Sequence, residues 1–190
     1  MPKAIKFIKL LFELFRCSPH LLIFYLHKNK PVILGDIKRW KQELNIKYPI
    51  PLALIYLLSF KRTFRNVFYY RIGFPMCFLN LFCPQISCLK ILTKDIGEGL
   101  FIWNGFSTII GAKSIGKNCM INQMVTIGNN KGYPTILDNV VILPGAIIVG
   151  NITIGNNVII GANTTVLKNV PDNCTVYPSD CKVMRWHKKE

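Results

Sequence analysis

Residues Ile136 to Pro171 read ILDNVV ILPGAI IVGNIT IGNNVI IGANTT VLKNVP, six consecutive blocks of six. Each block opens on a branched aliphatic residue: Ile136, Ile142, Ile148, Ile154, Ile160 and Val166. The fourth place is small and turn-forming throughout, at Asn139, Gly145, Asn151, Asn157, Asn163 and Asn169. The fifth is compact and mostly apolar: Val140, Ala146, Ile152, Val158, Thr164 and Val170. A period of six is neither the two of a strand nor the 3.6 of a helix. It predicts a solenoid of short strands and tight turns, each rung stacking on the next to bury the aliphatic stripe. Gly and Asn tolerate positive φ best, so the fourth places are expected to take it.

Working back toward the N-terminus, the period begins at Ile96 (IGEGLF) and Ile102 (IWNGFS), slips by one residue, and resumes at Ile109, Ile115, Ile121 and Ile127. From Ile127 to Ile136 is nine residues, one rung plus an insertion of three. The insertion centres on Asn129 to Pro134 (NNKGYP), and in solenoids such insertions form loops on one face, often the binding face. Pro171 ends the ladder, leaving a cap and a basic tail.

Upstream the pattern is helical. Apolar residues at helical spacing (Ile5, Ile8, Phe12, Phe15) with Lys3, Lys6 and Lys9 on other faces predict a packed amphipathic helix. Pro19 is expected to break it, with Ser18 capping a second helix. His20 and His27 in this pair read as packing or surface residues. A helix from about Asp36 to Leu44 follows a short turn, then two helices meet near Lys61, with Gly73 and Pro75 as stops. MCFLNLFCP gives one more short helix, and Lys90 to Lys94 read as a link. The domains are thus 1–94 helical, 95–177 solenoid, and 178–190 cap and tail.

With 190 residues, 51% apolar and 17% charged, and a mean hydropathy of +0.31, a large core is feasible and disorder is excluded. The net charge of +15 favours anionic partners or simple solubility. Nucleic acid is set aside, because no recognition motif accompanies the charge. Contact with a membrane surface through the basic first helix ranks below helix packing. The longest apolar run, Ile50 to Phe60, is short of the ~20 residues of a membrane span. No signal peptide is expected, since Glu13 and Arg16 interrupt the N-terminal stretch. Seven cysteines without CxxC spacing give neither a disulfide framework nor a metal site, which suits a reducing cytoplasm.

The segments GLFIWNGFSTIIGAKSIG, IGKNCMINQMVTIGNN and the ladder itself resemble the hexapeptide-repeat acyltransferases, most closely bacterial serine O-acetyltransferases and their relatives in polysaccharide gene clusters. RTFRNVFYYRIG (Arg62 to Gly73) is similar to the end of that family's helical domain. The resemblance covers roughly Arg62 to Val183. It implies an all-β solenoid, a left-handed parallel β-helix, behind an N-terminal α-helical domain. It also implies a homotrimer with acetyl-CoA, the acyl donor, lying between neighbouring prisms and a small-molecule acceptor, serine or a sugar.

In that family a histidine takes the acceptor's proton, a task suited to its near-neutral pKa. Relatives usually carry it where this chain has Asn104, and a second one where this chain has Tyr133; the three histidines here are His20, His27 and His187. Asn104 and Tyr133 are therefore the catalytic-site positions. Asn104 can hydrogen-bond a hydroxyl or support an oxyanion, and Tyr133 could exchange a proton only with a lowered pKa. Trp103 beside Asn104 reads as pocket filling. Gly145, Ala146, Gly161 and Ala162 are small enough for close approach of a pantetheine arm, and Lys168 matches a basic position near the nucleotide phosphates. No metal is expected. The cap departs from the family, with Pro178 and Asp180 where relatives have Gly and Pro. Asp95 and Asp138 are the carboxylates available for an acceptor amine, although Asp138 also fits a turn cap. Two functions follow: an O-acetyltransferase of the serine acetyltransferase type, or a non-catalytic homologue that binds CoA or a protein partner.

Overall fold

The aliphatic ladder closes into a three-faced prism. A computed structural model describes residues 3–73 and 76–178, with side-chain surroundings from residue 12 and not for 74–77. Pro75, Asp180, Cys181, His187 and the tail lie outside the described residues, as do the side chains of Ile5, Ile8, Lys3, Lys6, Lys9 and Cys77.

Among the described residues, thirteen short strands follow in chain order and sort into three parallel sheets. The first face stacks β1 (Leu89–Ile91), β3 (Thr108–Ile110), β6 (Thr126–Gly128), β9 (Ile147–Val149) and β12 (Thr165–Val166). The second stacks β4 (Ser114–Ile115), β7 (Thr135–Ile136) and β10 (Thr153–Ile154). The third stacks β2 (Phe101–Ile102), β5 (Met120–Ile121), β8 (Val141–Ile142), β11 (Ile159–Ile160) and β13 (Thr175–Val176). Registers align Ile91, Ile110, Ile127, Ile148 and Val166 in one column, and Ile102, Ile121, Ile142, Ile160 and Val176 in another. The third column is Ile96, Ile115, Ile136, Ile154 and Val170. Burying each such side chain contributes roughly 1.5–3 kcal/mol.

Four readings of the sequence are corrected. Ile110, not Ile109, is the inward rung: Ile110 is fully buried and Ile109 is 40% exposed. The turn after Ile102 is longer than the one-residue slip, with positive φ at Asn104, Gly105 and Ser107. Positive φ occurs at Asn139, Gly145, Asn157 and Asn163 but not at Asn151 or Asn169. Those two lie on the edge between the first and second faces, where Gly150 turns the chain at φ 110° and the Asn169 side chain accepts the Thr153 amide instead. Finally, β1 already pairs with β3, so the parallel ladder starts at Leu89, ahead of the 94/95 boundary, and the stretch read as a link is partly strand.

Five helices precede the prism: α1 (Lys3–Leu26), α2 (Lys30–Glu43), α3 (Ile50–Phe60), α4 (Arg62–Ile72) and α5 (Met76–Phe82). Pro19 does not break α1. Proline has no N–H for the carbonyl four residues back, and the Ser18 hydroxyl donates to that carbonyl, Phe15 O, at 2.7 Å. The buried face of α1 carries Cys17, His20 and Phe24, whereas Phe12 and Phe15 face solvent. A helix apolar on more than one side leaves its phase undecided by periodicity alone. α2 begins at Lys30 rather than near Asp36, because Pro31 sits in the first turn, where a proline fits. The junction at Lys61 and the stop at Gly73 (φ 63°) are as read.

The helices are tied to the first rung of the prism. The Trp40 indole donates to Leu100 O at 2.8 Å and its ring lies 4.5 Å from that of Phe101. Asp36 accepts from the Gly99 and Leu100 amides at 2.8 and 2.9 Å. Arg71 bonds Asp36 and reaches the Ile96 and Gly97 carbonyls. These contacts fix the chain that runs into Asn104.

Candidate active site

Asn104 sits where the chain turns from the third face to the first, at φ 62°. Gly105 follows at φ 56°, and a Cβ there would come within 2.8 Å of Thr63 Cγ2, so the turn is pressed directly against the start of α4. The Asn104 amide is exposed and has no hydrogen-bond partner among the described residues. It opens on a cleft of about 230 Å³ between the helices and the prism, lined by Trp40, Lys61, Arg62, Thr63 and Trp103 among others. Trp103 lines the cleft, 43% exposed, with its ring 5.6 Å from that of Phe101.

The same edge continues down the prism. Met124 N bonds Phe106 O, Gly145 N bonds Gln123 O, and Asn163 N bonds Pro144 O. Gly145, Ala146, Gly161 and Ala162 therefore share an edge with Asn104. Their environments differ from the sequence reading. Ala146 is fully buried, with its methyl inside the prism. A Cβ at Gly161 would meet the backbone oxygen of Val176 at 2.8 Å, so coil stacking keeps that residue small. At Gly145 the near atom is the movable Asn163 Oδ1, and the φ of 73° is what disfavours a side chain. Ala162 faces solvent.

Tyr133 and Lys168 lie on the next edge, between the first and second faces. The inserted loop is held there by Lys113 N donating to Pro134 O at 2.8 Å and Gly132 N donating to Asn129 Oδ1 at 3.2 Å. Tyr133 is 49% exposed, close to Gly111. Lys168 is exposed two coils further along, roughly 10 Å at the usual strand spacing. Within one chain the first face separates Asn104 from Tyr133. Its outward column is mixed, Lys90, Ile109, Thr126, Ile147 and Thr165. With Phe106, Met124 and Leu167 at the edges it still leaves several apolar side chains 40% exposed or more, Ile109 and Ile147 among them.

The two carboxylates proposed for an acceptor amine are elsewhere. Asp138 lies on the third edge, accepting from Lys117 N of the preceding coil at 2.7 Å rather than capping its own turn. Asp95 borders a separate cleft with Tyr70 and Lys94. His20 is buried in the helices, bonded to the Tyr69 hydroxyl at 2.9 Å. Among the described residues no three of His, Cys, Asp and Glu gather as a metal would need. Thr63, Lys61 and Arg62 were missed as site residues; their only sequence signal was two cations at a helix junction.

Residues 133–168 of the prism match the family described as bacterial transferase hexapeptide (six repeats). The similar curated proteins are serine acetyltransferases. One from Synechococcus elongatus is 46% identical over 87 residues, covering 43% of this chain and 36% of that protein. One from Staphylococcus aureus is 47% identical over 87 residues, covering 43% and 41%. The match thus spans well under half the length of these curated relatives. Entamoeba histolytica serine acetyltransferase 1, solved in complex with L-cysteine, superposes with a TM-score of 0.63 at 27% identity over 80% of this chain and 64% of its own. Neisseria gonorrhoeae serine acetyltransferase, solved in complex with serine, gives 0.62 at 24% identity over 86% and 72%. The fold is the left-handed β-helix with an N-terminal helical region found in these enzymes.

Proposed function

We propose that this chain is a cytoplasmic, acetyl-CoA-dependent O-acetyltransferase of the serine acetyltransferase type, acting on the hydroxyl of serine or a sugar. The observation that carries the reading is Asn104, held at a fixed positive-φ turn with an unpartnered amide beside an open cleft. In the reaction the acceptor oxygen bonds to the acetyl carbonyl carbon, the C–S bond breaks, and the hydroxyl proton ends on the departing sulfur. Acetyl-CoA supplies the activated acyl group. Asn104 orients the hydroxyl or donates to the developing oxyanion; its amide does not take the proton. Lacking a general base costs typically ~10²–10⁴ in rate, while positioning alone supplies roughly 7–11 kcal/mol. Turnover is therefore slow but real.

Ala162 and Lys168 are the solvent-facing residues available to the donor, Lys168 toward its phosphates. The exposed apolar side chains of the first face support a homotrimer, in which one protomer's Asn104 edge meets the Tyr133 edge of its neighbour. The cytoplasmic location is supported by cysteines that are free among the described residues. The test is a thiol-release assay with acetyl-CoA over amino acids and sugars, run beside Asn104→His. A gain of about tenfold or more in that variant is expected. No release by either protein, with any acceptor, would favour the non-catalytic reading.

A further inference from the structure

We propose that the Asn104 cleft takes an acceptor bearing an anionic group, a phosphorylated or carboxylated sugar in preference to an amino acid. This rests on the transferase reading for the chemistry, but the binding site stands on observations of its own. The cleft of about 230 Å³ is lined by Lys61 and Arg62 and by no carboxylate among the described residues. Asp95 and Asp138, which could have met an ammonium group, are on other edges of the prism.

The start of α4 opens on the same cleft through Lys61, Arg62 and Thr63. Its N-cap, Lys61, makes no side-chain capping bond, and the first turn contains no acidic residue. No cap or first-turn carboxylate offsets the positive end of that helix, whose one opposing dipole there is the carbonyl end of α3 at the shared residue Lys61. Thr63 lines the cleft, and its hydroxyl, with no hydrogen-bond partner among the described residues, is free to bond a ligand oxygen. Arg62 makes only a long contact of 3.5 Å to Gln85 O, leaving its planar fork available for a phosphate or carboxylate. Trp103, 43% exposed beside Asn104, offers an apolar ring face of the kind that packs against a sugar ring. A zwitterionic amino acid brings a carboxylate those cations attract, but also an ammonium that they and the helix N-terminus oppose, with no acid among the cleft residues to offset it. An anionic sugar has the attraction without the opposing charge, and its free hydroxyl falls to Asn104.

The experiment uses the full chain and four probes: glucose 6-phosphate, glucuronate, glucose and serine. Each is titrated calorimetrically in the presence of CoA, and each is also offered as acceptor in the thiol-release assay. Glucose 6-phosphate and glucuronate are expected to bind at least about tenfold more tightly than glucose or serine, and their order separates phosphate from carboxylate recognition. Arg62→Glu and Lys61→Glu together should weaken the anionic probes about tenfold while moving glucose by less than about twofold. Thermal unfolding and CoA titration of the double variant check that it folds. Serine binding tightest, or an anionic preference untouched by the charge reversal, overturns the proposal. Anionic binding lost on charge reversal but no thiol release with any probe leaves the site standing and removes the transferase reading instead.

Discussion

Arg71 grips Asp36 through two hydrogen bonds, Nε to Oδ2 at 2.8 Å and Nη2 to Oδ1 at 3.2 Å, with both side chains at least 95% buried. Burial pushes the Asp36 carboxyl above its ordinary range, opposed by Arg71 and by the Gly99 and Leu100 amides. The pair joins α2, α4 and the first rung of the prism in one network. Removing one partner strands a buried charge, which typically costs about 3–5 kcal/mol. Asp36→Ala and Arg71→Met are each expected to lower stability by that amount in urea unfolding. Asp36→Leu with Arg71→Met should cost clearly less than the sum, because no unpaired charge remains.

The inward rung after the Asn104 turn separates two adjacent isoleucines. Ile110→Ala empties a fully buried site and should cost about 2–5 kcal/mol. Ile109→Ala, on a residue 40% exposed, should cost under about 1 kcal/mol in the isolated chain. If the first face is a subunit seam, Ile109→Ala should instead show itself in sedimentation, as a loss of the trimer. Equal losses of stability would restore Ile109 as the rung.

Two glycines give a matched pair. A Cβ on Gly97 would lie 2.7 Å from the backbone carbon of Gly116 in the next coil, where nothing flexible can give way. Gly97→Ala should therefore force coils apart and cost about 1–3 kcal/mol. Gly128 meets nothing within 4 Å and has no positive φ, so Gly128→Ala should stay within about 0.5 kcal/mol of the parent. Chemical denaturation midpoints at equal m-value decide it.

Burial pushes the Cys119 thiol up to about 11. In the unfolded chain the same thiol ionises near 9.0, so the folded form gives it up later. The stability it contributes is complete below pH 9 and drains away as pH rises toward 11, at ~1.4 kcal/mol per unit. Cys119→Ser retains a donor for the Leu137 carbonyl, 3.2 Å from the sulfur, but does not titrate in this window. Unfolding free energies at pH 8, 10 and 11 should fall less steeply for the serine variant. Parallel slopes would remove Cys119 as a source of alkaline instability.

What the sequence made legible follows from how locally each feature is encoded. The columns through Ile121, Ile142 and Ile160 were readable because a fixed period of six repeats the same local geometry. Ile109 and Ile110 were not, since two neighbouring isoleucines differ only in the length of the turn before them. The edge carrying Asn151 and Asn169 looked like the other two, yet its turn is made by Gly150 and a side-chain bond. At the site, the loop of Tyr133 could be found from the interrupted repeat, and Asn104 from the family resemblance. The cleft could not. Lys61, Arg62 and Thr63 reach Asn104 through a tertiary contact across about 40 residues of sequence, and no periodicity spans that distance.

Lys168 supplies the last prediction. It stands exposed on the edge that carries Tyr133, and none of its neighbours in the turn, Leu167 and Asn169, bears a charge. A lone solvated lysine meeting a phosphate contributes ~0.5–1 kcal/mol, so Lys168→Ala should raise the KM for acetyl-CoA about threefold and leave kcat unchanged. The effect should shrink as salt is added, because an exposed charge pair is screened over ~10 Å at 0.1 M. Acetyl-pantetheine, which lacks the nucleotide, isolates the contact. Its KM should be the same for both proteins if Lys168 reads phosphate, and should rise in the variant if the lysine instead shapes the edge for the pantetheine arm.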